Sequence, residues 1–118
     1  MSPIAVLYHG DYTHEHWFVD ECLNITGIID FGDIQGGLVT TDFAIFKMNE
    51  RQSEINWLIR GYMSINNSSI DKDFYQHIDL HTLITLVDYL IHFIKQNDTE
   101  EITQTLDLLK KATEDLKN

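Results

Sequence analysis

The chain reads as an α+β protein, mostly helical, with short β-strands first and about four helices after them. Three observations predict this. Apolar runs before residue 30 are only three to five residues long and are separated by polar or glycine-containing turns. From about Thr40 the apolar period lengthens to that of a helix. The sequence holds one proline, Pro3, which leaves the second half free of helix breakers.

Taken in order, Ala5-Val6-Leu7-Tyr8 predicts a buried strand that feeds the loop His9-Gly10-Asp11. Trp17-Phe18-Val19 predicts a second strand and Ile25 to Ile29 a third, paired as a hairpin around the polar turn Glu21 to Asn24. Gly32, Gly36 and Gly37 are expected to break regular structure. Thr40 or Thr41 is a suitable cap for a helix carrying Phe43, Ala44, Phe46 and Met48. Ile55, Leu58, Ile59, Tyr62 and Met63 form one apolar stripe, with Ser53 as candidate cap. After the polar link Asn66 to Ser69, a long helix is expected from about Asp71 to Lys95, with Phe74, Ile78, Val87, Leu90, Ile91 and Ile94 inward. Asn97 and Asp98 should stop it. Asp98 with Glu101 has the spacing of a capping box for a last helix on Ile102, Leu106, Leu109 and Leu116.

At 118 residues this is read as a single domain over 1–118, without repeats or a second boundary. There are 19 acids against 8 Lys and Arg, a formal charge of −11. That balance disfavours nucleic acid and anionic membrane surfaces, both of which need clustered cations. It suits a cationic partner or plain solubility. Cys22 is the only cysteine, so no intrachain disulfide forms, and a cytoplasmic location is expected. No window approaches the roughly 20 apolar residues of a membrane span.

The residues that could carry chemistry sit in two segments, His9-Gly10-Asp11-Tyr12-Thr13-His14-Glu15-His16 and Ile28-Ile29-Asp30-Phe31-Gly32-Asp33. Each places an acid at the mouth of a strand. One rigidly held carboxylate to receive a hydroxyl proton and a second to hold a divalent cation are what phosphoryl transfer requires. The pair of segments resembles the catalytic loop and the metal-binding loop of the aminoglycoside phosphotransferases and their kinase-like relatives. The resemblance is clearest from Val6 to Ala44.

It implies the C-terminal lobe of a protein-kinase-like fold, with Asp11 as catalytic base and Asp30 as metal ligand. His16 stands where most of the family has Asn; the 2″-aminoglycoside phosphotransferases are similar in having His there. The resemblance assigns His9, Asp33 and Asp42 supporting roles: His9 beneath the loop, Asp33 beside the metal or loop, Asp42 anchoring the loop's backbone. It implies Mg²⁺, with Mn²⁺ as an alternative, and ATP or GTP as phosphoryl donor to a small-molecule hydroxyl. Eight residues before His9 cannot build the nucleotide-covering N-terminal lobe, so that lobe is expected to be absent and the isolated chain a poor kinase. Self-association, or docking to a separate N-lobe chain through the face holding Trp17 and Phe31, would then cover bared apolar surface. The alternative is a non-catalytic helical interaction module, or a truncated relic, of the same family.

Two rival metal sites are weaker. A zinc cluster drawn from His9, Asp11, His14 and His16 lacks the further Asp and His of a metallo-hydrolase motif, because Phe18 and Val19 stand in their places. His77 and His81 have helical i, i+4 spacing but no third ligand nearby in sequence. Asp71, Asp73, Asp79 and Asp88 are most simply a solvated face, with amine recognition as the alternative that the family suggests.

Overall fold

The computed structural model describes residues 5–49, 52–66 and 72–117. Four short strands, a 3₁₀ turn at His14–His16 and four helices follow in chain order: β1 (Val6–Tyr8), β2 (Trp17–Val19), β3 (Ile25–Ile28), β4 (Gln35–Gly37), α1 (Thr40–Asn49), α2 (Gln52–Asn66), α3 (Lys72–Lys95) and α4 (Thr99–Lys117). The chain forms two compact units, Met1–Ile59 and Arg60–Asn118, with their boundary inside α2.

The first unit holds two antiparallel pairs. β2 and β3 form the expected hairpin, with Trp17 opposite Ile28 and a bulge after Phe18. Its turn is organised by Asp20. One carboxylate oxygen accepts the N–H groups of Cys22 and Asn24, and the carbonyl accepts that of Leu23, which adopts a left-handed φ of 64°. These hydrogen bonds, first of all those from Asn24, hold the Asp20 carboxyl below its usual range.

The glycine segment is a correction to the sequence reading. Gly36 and Gly37 lie in β4, paired with β1 through Val6–Gly37, Leu7–Gly36 and Tyr8–Gln35. Glycine is needed there for closeness: a Cβ on Gly37 would enter the Tyr8 ring. The Gln35 amide also donates to the Tyr8 hydroxyl.

α1 supplies much of this unit's core through Phe43, Ala44, Ile45, Phe46 and Met48. Phe46 stacks on Trp17 and lies against Tyr12, so the helix, the hairpin and the loop meet in one aromatic cluster. α2 is already formed at Gln52, which places Ser53 inside the helix instead of at its cap. Ile55 and Ile59 are fully buried.

In the second unit α3 and α4 pack together. α3 ends as a Schellman motif: Asn97 has a φ of 56°, Asp98 N–H donates to the Phe93 carbonyl and Asn97 N–H to that of Ile94. Asp98 then opens α4, its Oδ1 accepting the Glu101 N–H. Here the sequence reading had the inward face only in part, with Phe74 and Leu90 partly buried as expected. Ile78 is buried as expected, but its companions are Thr82 and Leu86, while Val87, Ile91 and Ile94 are exposed. In α4 the buried positions are Thr105 and Ala112, and Leu106 and Leu116 are exposed. Buried threonines are tolerated because their hydroxyls bond back to carbonyls one turn earlier, Thr82 to Ile78 and Thr105 to Glu101.

Candidate phosphotransferase site

Three segments build the site: the loop after β1, the 3₁₀ turn before β2, and the loop after β3. Asp42, in the first turn of α1, fixes the first of them. Its two carboxylate oxygens accept the N–H of His9 at 2.8 Å and of Gly10 at 2.9 Å. A carboxylate accepting two backbone donors holds the turn by charge-assisted bonds. Gly10 has a φ of 94° and lies against the backbone of Asp33; a Cβ there would overlap the Asp33 carbonyl oxygen. Only glycine satisfies both demands.

His9 ties the loop to β3. Its Nε2 lies 2.8 Å from the Ile29 carbonyl oxygen, and its Nδ1 is 3.1 Å from the Asp11 N–H. A carbonyl can only accept and an N–H can only donate, so the ring carries its proton on Nε2 and accepts through Nδ1. Both nitrogens are committed, which removes His9 from any metal cluster. Its ring packs on Phe31 at 4.4 Å and edge-on to Tyr12. Tyr12 is half-buried, and burial, with the Asp42 charge second, raises the pKa of its phenol.

His16 is oriented by the same logic in reverse. Its Nδ1 lies 2.9 Å from the Asp11 carbonyl oxygen and must donate to it. The opposite nitrogen, Nε2, then faces carboxylates: Asp30 Oδ2 at 3.3 Å and Asp11 Oδ2 at 4.0 Å. One atom from each of Asp11, His16 and Asp30 lies within 4.8 Å of the others. Asp30 is aimed there by a left-handed backbone, φ 69°, an uncommon state for a non-glycine residue. Two carboxylates and an imidazole nitrogen converging on one point are a donor set for a divalent cation.

The structure therefore brings together Asp11, His16 and Asp30. Asp33 stands apart from this cluster and contributes its backbone against Gly10. Sequence reasoning assigned Asp11 to the proton, placed it among ligands only in the weaker zinc cluster with His9, His14 and His16, and did not join it to Asp30. It also missed β4 and the aromatic packing of Tyr12, Trp17 and Phe46; three aromatics on three segments were the available signal.

Short strands carrying these loops, followed by four helices, make the C-terminal lobe of a kinase-like fold. The chain belongs to the phosphotransferase enzyme family, whose model matches residues 3–62. Among solved structures it is similar to a point mutant of an aminoglycoside 2′-phosphotransferase-IIIa in complex with GDP, at a TM-score of 0.76 and 23% identity. That match covers 97% of this chain and 37% of the other, so the chain spans little more than a third of that protein's length. No match to a curated protein was found. Among the described residues, no helix is long and apolar enough to cross a membrane.

Proposed function

We propose that this chain carries the acceptor-side and metal-side chemistry of an enzyme that moves the γ-phosphoryl group of ATP or GTP onto a hydroxyl of a small molecule such as an aminoglycoside. The observation that carries the reading is the convergence of Asp11, His16 and Asp30 on loops fixed by Asp42 and His9. Asp11 orients the acceptor hydroxyl and takes its proton as the new P–O bond forms and the γ-phosphorus loses its bond to the β-phosphate oxygen, which leaves as ADP or GDP. Asp30 and His16 hold Mg²⁺ or Mn²⁺, which when bound neutralises charge on the nucleotide phosphates. The GDP bound to the structural neighbour supports a guanine nucleotide as one candidate donor. A cationic acceptor would match the charge of −11.

In this reading a nucleotide-covering lobe is supplied by residues outside these 118, and the 118-residue chain alone turns over little. The face holding Phe31, exposed next to Asp30, and the partly buried Trp17 suits docking of such a lobe, or of a second copy. Light scattering across a concentration series distinguishes a self-associating chain from a monomer.

The decisive experiment is a titration with Mg²⁺ and Mn²⁺, with and without nucleotide, following the His16 imidazole by NMR. Perturbation at millimolar metal is expected, with Mn²⁺ acting at lower concentration because the set includes nitrogen. A folded sample in which His16 does not respond refutes the site. Where an added N-lobe restores turnover, Asp11→Asn should lower the rate by about 10²–10⁴-fold, the usual worth of a general base.

A further inference from the structure

We propose that the cluster of Asp11, His16 and Asp30 is also an inhibitory site for a zinc-class transition-metal ion, in which Asp11 itself becomes a ligand. The inhibitory consequence rests on the phosphotransferase reading; the binding rests on geometry alone.

The argument begins with His16. Its Nδ1–H is committed to the Asp11 carbonyl, which leaves Nε2 as the coordinating atom and holds the ring in place. A ligating histidine whose other nitrogen donates to a carbonyl is the arrangement that stabilises metal–imidazole bonds. Zinc takes nitrogen and carboxylate oxygen at about 2.0–2.2 Å, so two donors on a tetrahedral ion stand about 3.3–3.6 Å apart. His16 Nε2 and Asp30 Oδ2, at 3.3 Å, already have that spacing. Asp11 Oδ2, at 4.0 Å from Nε2, needs to close by about half an ångström to match it. The Asp11 side chain is about half exposed, so a small rotation supplies the movement.

Hard, octahedral Mg²⁺ makes a different demand. It prefers oxygen, keeps several waters and takes one or two carboxylates together with phosphate oxygens. A nitrogen donor is a poor ligand for it and a good one for zinc-class ions. His16 therefore biases the bare cluster toward a borderline metal, and three protein ligands leave a fourth position for water, as in open zinc sites. An Asp11 carboxylate bound to such an ion cannot accept the acceptor's proton. The same three residues would support transfer with one metal and block it with another. The ligand set differs from a zinc cluster read along the sequence, because His9 has both nitrogens committed.

The test uses Co²⁺ as a coloured substitute for zinc, titrated into the 118-residue chain without nucleotide. Visible bands of four- or five-coordinate Co²⁺ are expected, displaced by equimolar Zn²⁺ and retained in a hundredfold excess of Mg²⁺. His16→Asn and Asp11→Asn should each weaken Co²⁺ by at least about tenfold, the lower end of what disturbing a metal's surroundings costs. Asp107→Asn, on α4, should leave Co²⁺ binding unchanged. Circular dichroism confirms that each variant is folded, and Asp30→Asn replaces any that is not. Co²⁺ bound equally well by Asp11→Asn overturns the inference, as does displacement by Mg²⁺ at comparable concentration. Mg²⁺–nucleotide binding is measured on the same sample. Nucleotide binding without a Co²⁺ site overturns the inference and spares the phosphotransferase reading. A Co²⁺ site in a chain that shows no phosphoryl transfer even when joined to a nucleotide-covering lobe sinks that reading and the inhibitory consequence with it.

Discussion

The two units hold their shape by different means. Around the site, short segments with few internal hydrogen bonds are fixed to one another by named polar contacts: Asp42 to the loop backbone, His9 to Ile29, His16 to Asp11. In α3 and α4 each helix satisfies its own backbone, and position is set by which apolar face is buried. Specific polar contacts leave one solution. Apolar burial leaves several when a helix carries hydrophobic residues on more than one side, as α3 does with Leu86 buried and Ile84, Val87 and Ile91 exposed. The first unit should therefore fail when a single loop contact is removed, and the second only when the correct face is struck.

The largest expected effect is at Gly10. Gly10→Ala forces a left-handed backbone on a residue with a Cβ and drives that Cβ into the Asp33 carbonyl. A loss of about 2–6 kcal/mol in urea unfolding is expected, about 1–3 from strain plus about 1–3 from local overpacking. A wild-type midpoint would show that the two loops are free to part.

In the second unit, Leu86→Ala should cost about 2–5 kcal/mol by opening a cavity, while Ile84→Lys, two residues away, should stay within about 0.5 kcal/mol. Equal losses would mean that the exposed stripe of α3 is covered in solution.

A smaller effect is carried by pH. Burial lowers the pKa of His81, on α3, below its usual value. Above the unfolded value, near 6.5, both states are neutral and the packing of the neutral ring counts in full. As pH falls below that, the unfolded chain takes up the proton first and stability declines until the folded pKa is reached. Thermal melts between pH 7.5 and 5.5 should show this decline, and His81→Gln should flatten it.

A small change of the opposite sign is expected at Leu23. It sits exposed in the hairpin turn with a left-handed φ. Leu23→Gly relieves the side-chain strain but frees the unfolded chain, for a net gain of about 0.5–1 kcal/mol. A loss would show that Leu23 packs on something in solution.

Much of this protein was legible in the sequence because its signals are local. Asp98 with Glu101, Asn97 after Lys95, and the Trp17 to Ile29 hairpin are each decided within a few residues, and the structure has each of them. The order of the two acid-bearing segments was enough to reveal the family. Tertiary structure decided what depends on distant partners. Gly36 and Gly37 are turn-like by local rules, yet become a strand because β1 lies alongside, and at Gly37 the Tyr8 ring needs the space. Thr82 and Thr105 look like surface residues, yet are buried because their hydroxyls find carbonyls within their own helices. The convergence of Asp11 with His16 and Asp30 also lies beyond sequence spacing. Asp30 lies nineteen positions after Asp11, and the β2–β3 pairing, the His9 and His16 bonds to Ile29 and the left-handed turn at Asp30 bring the second acid to the first.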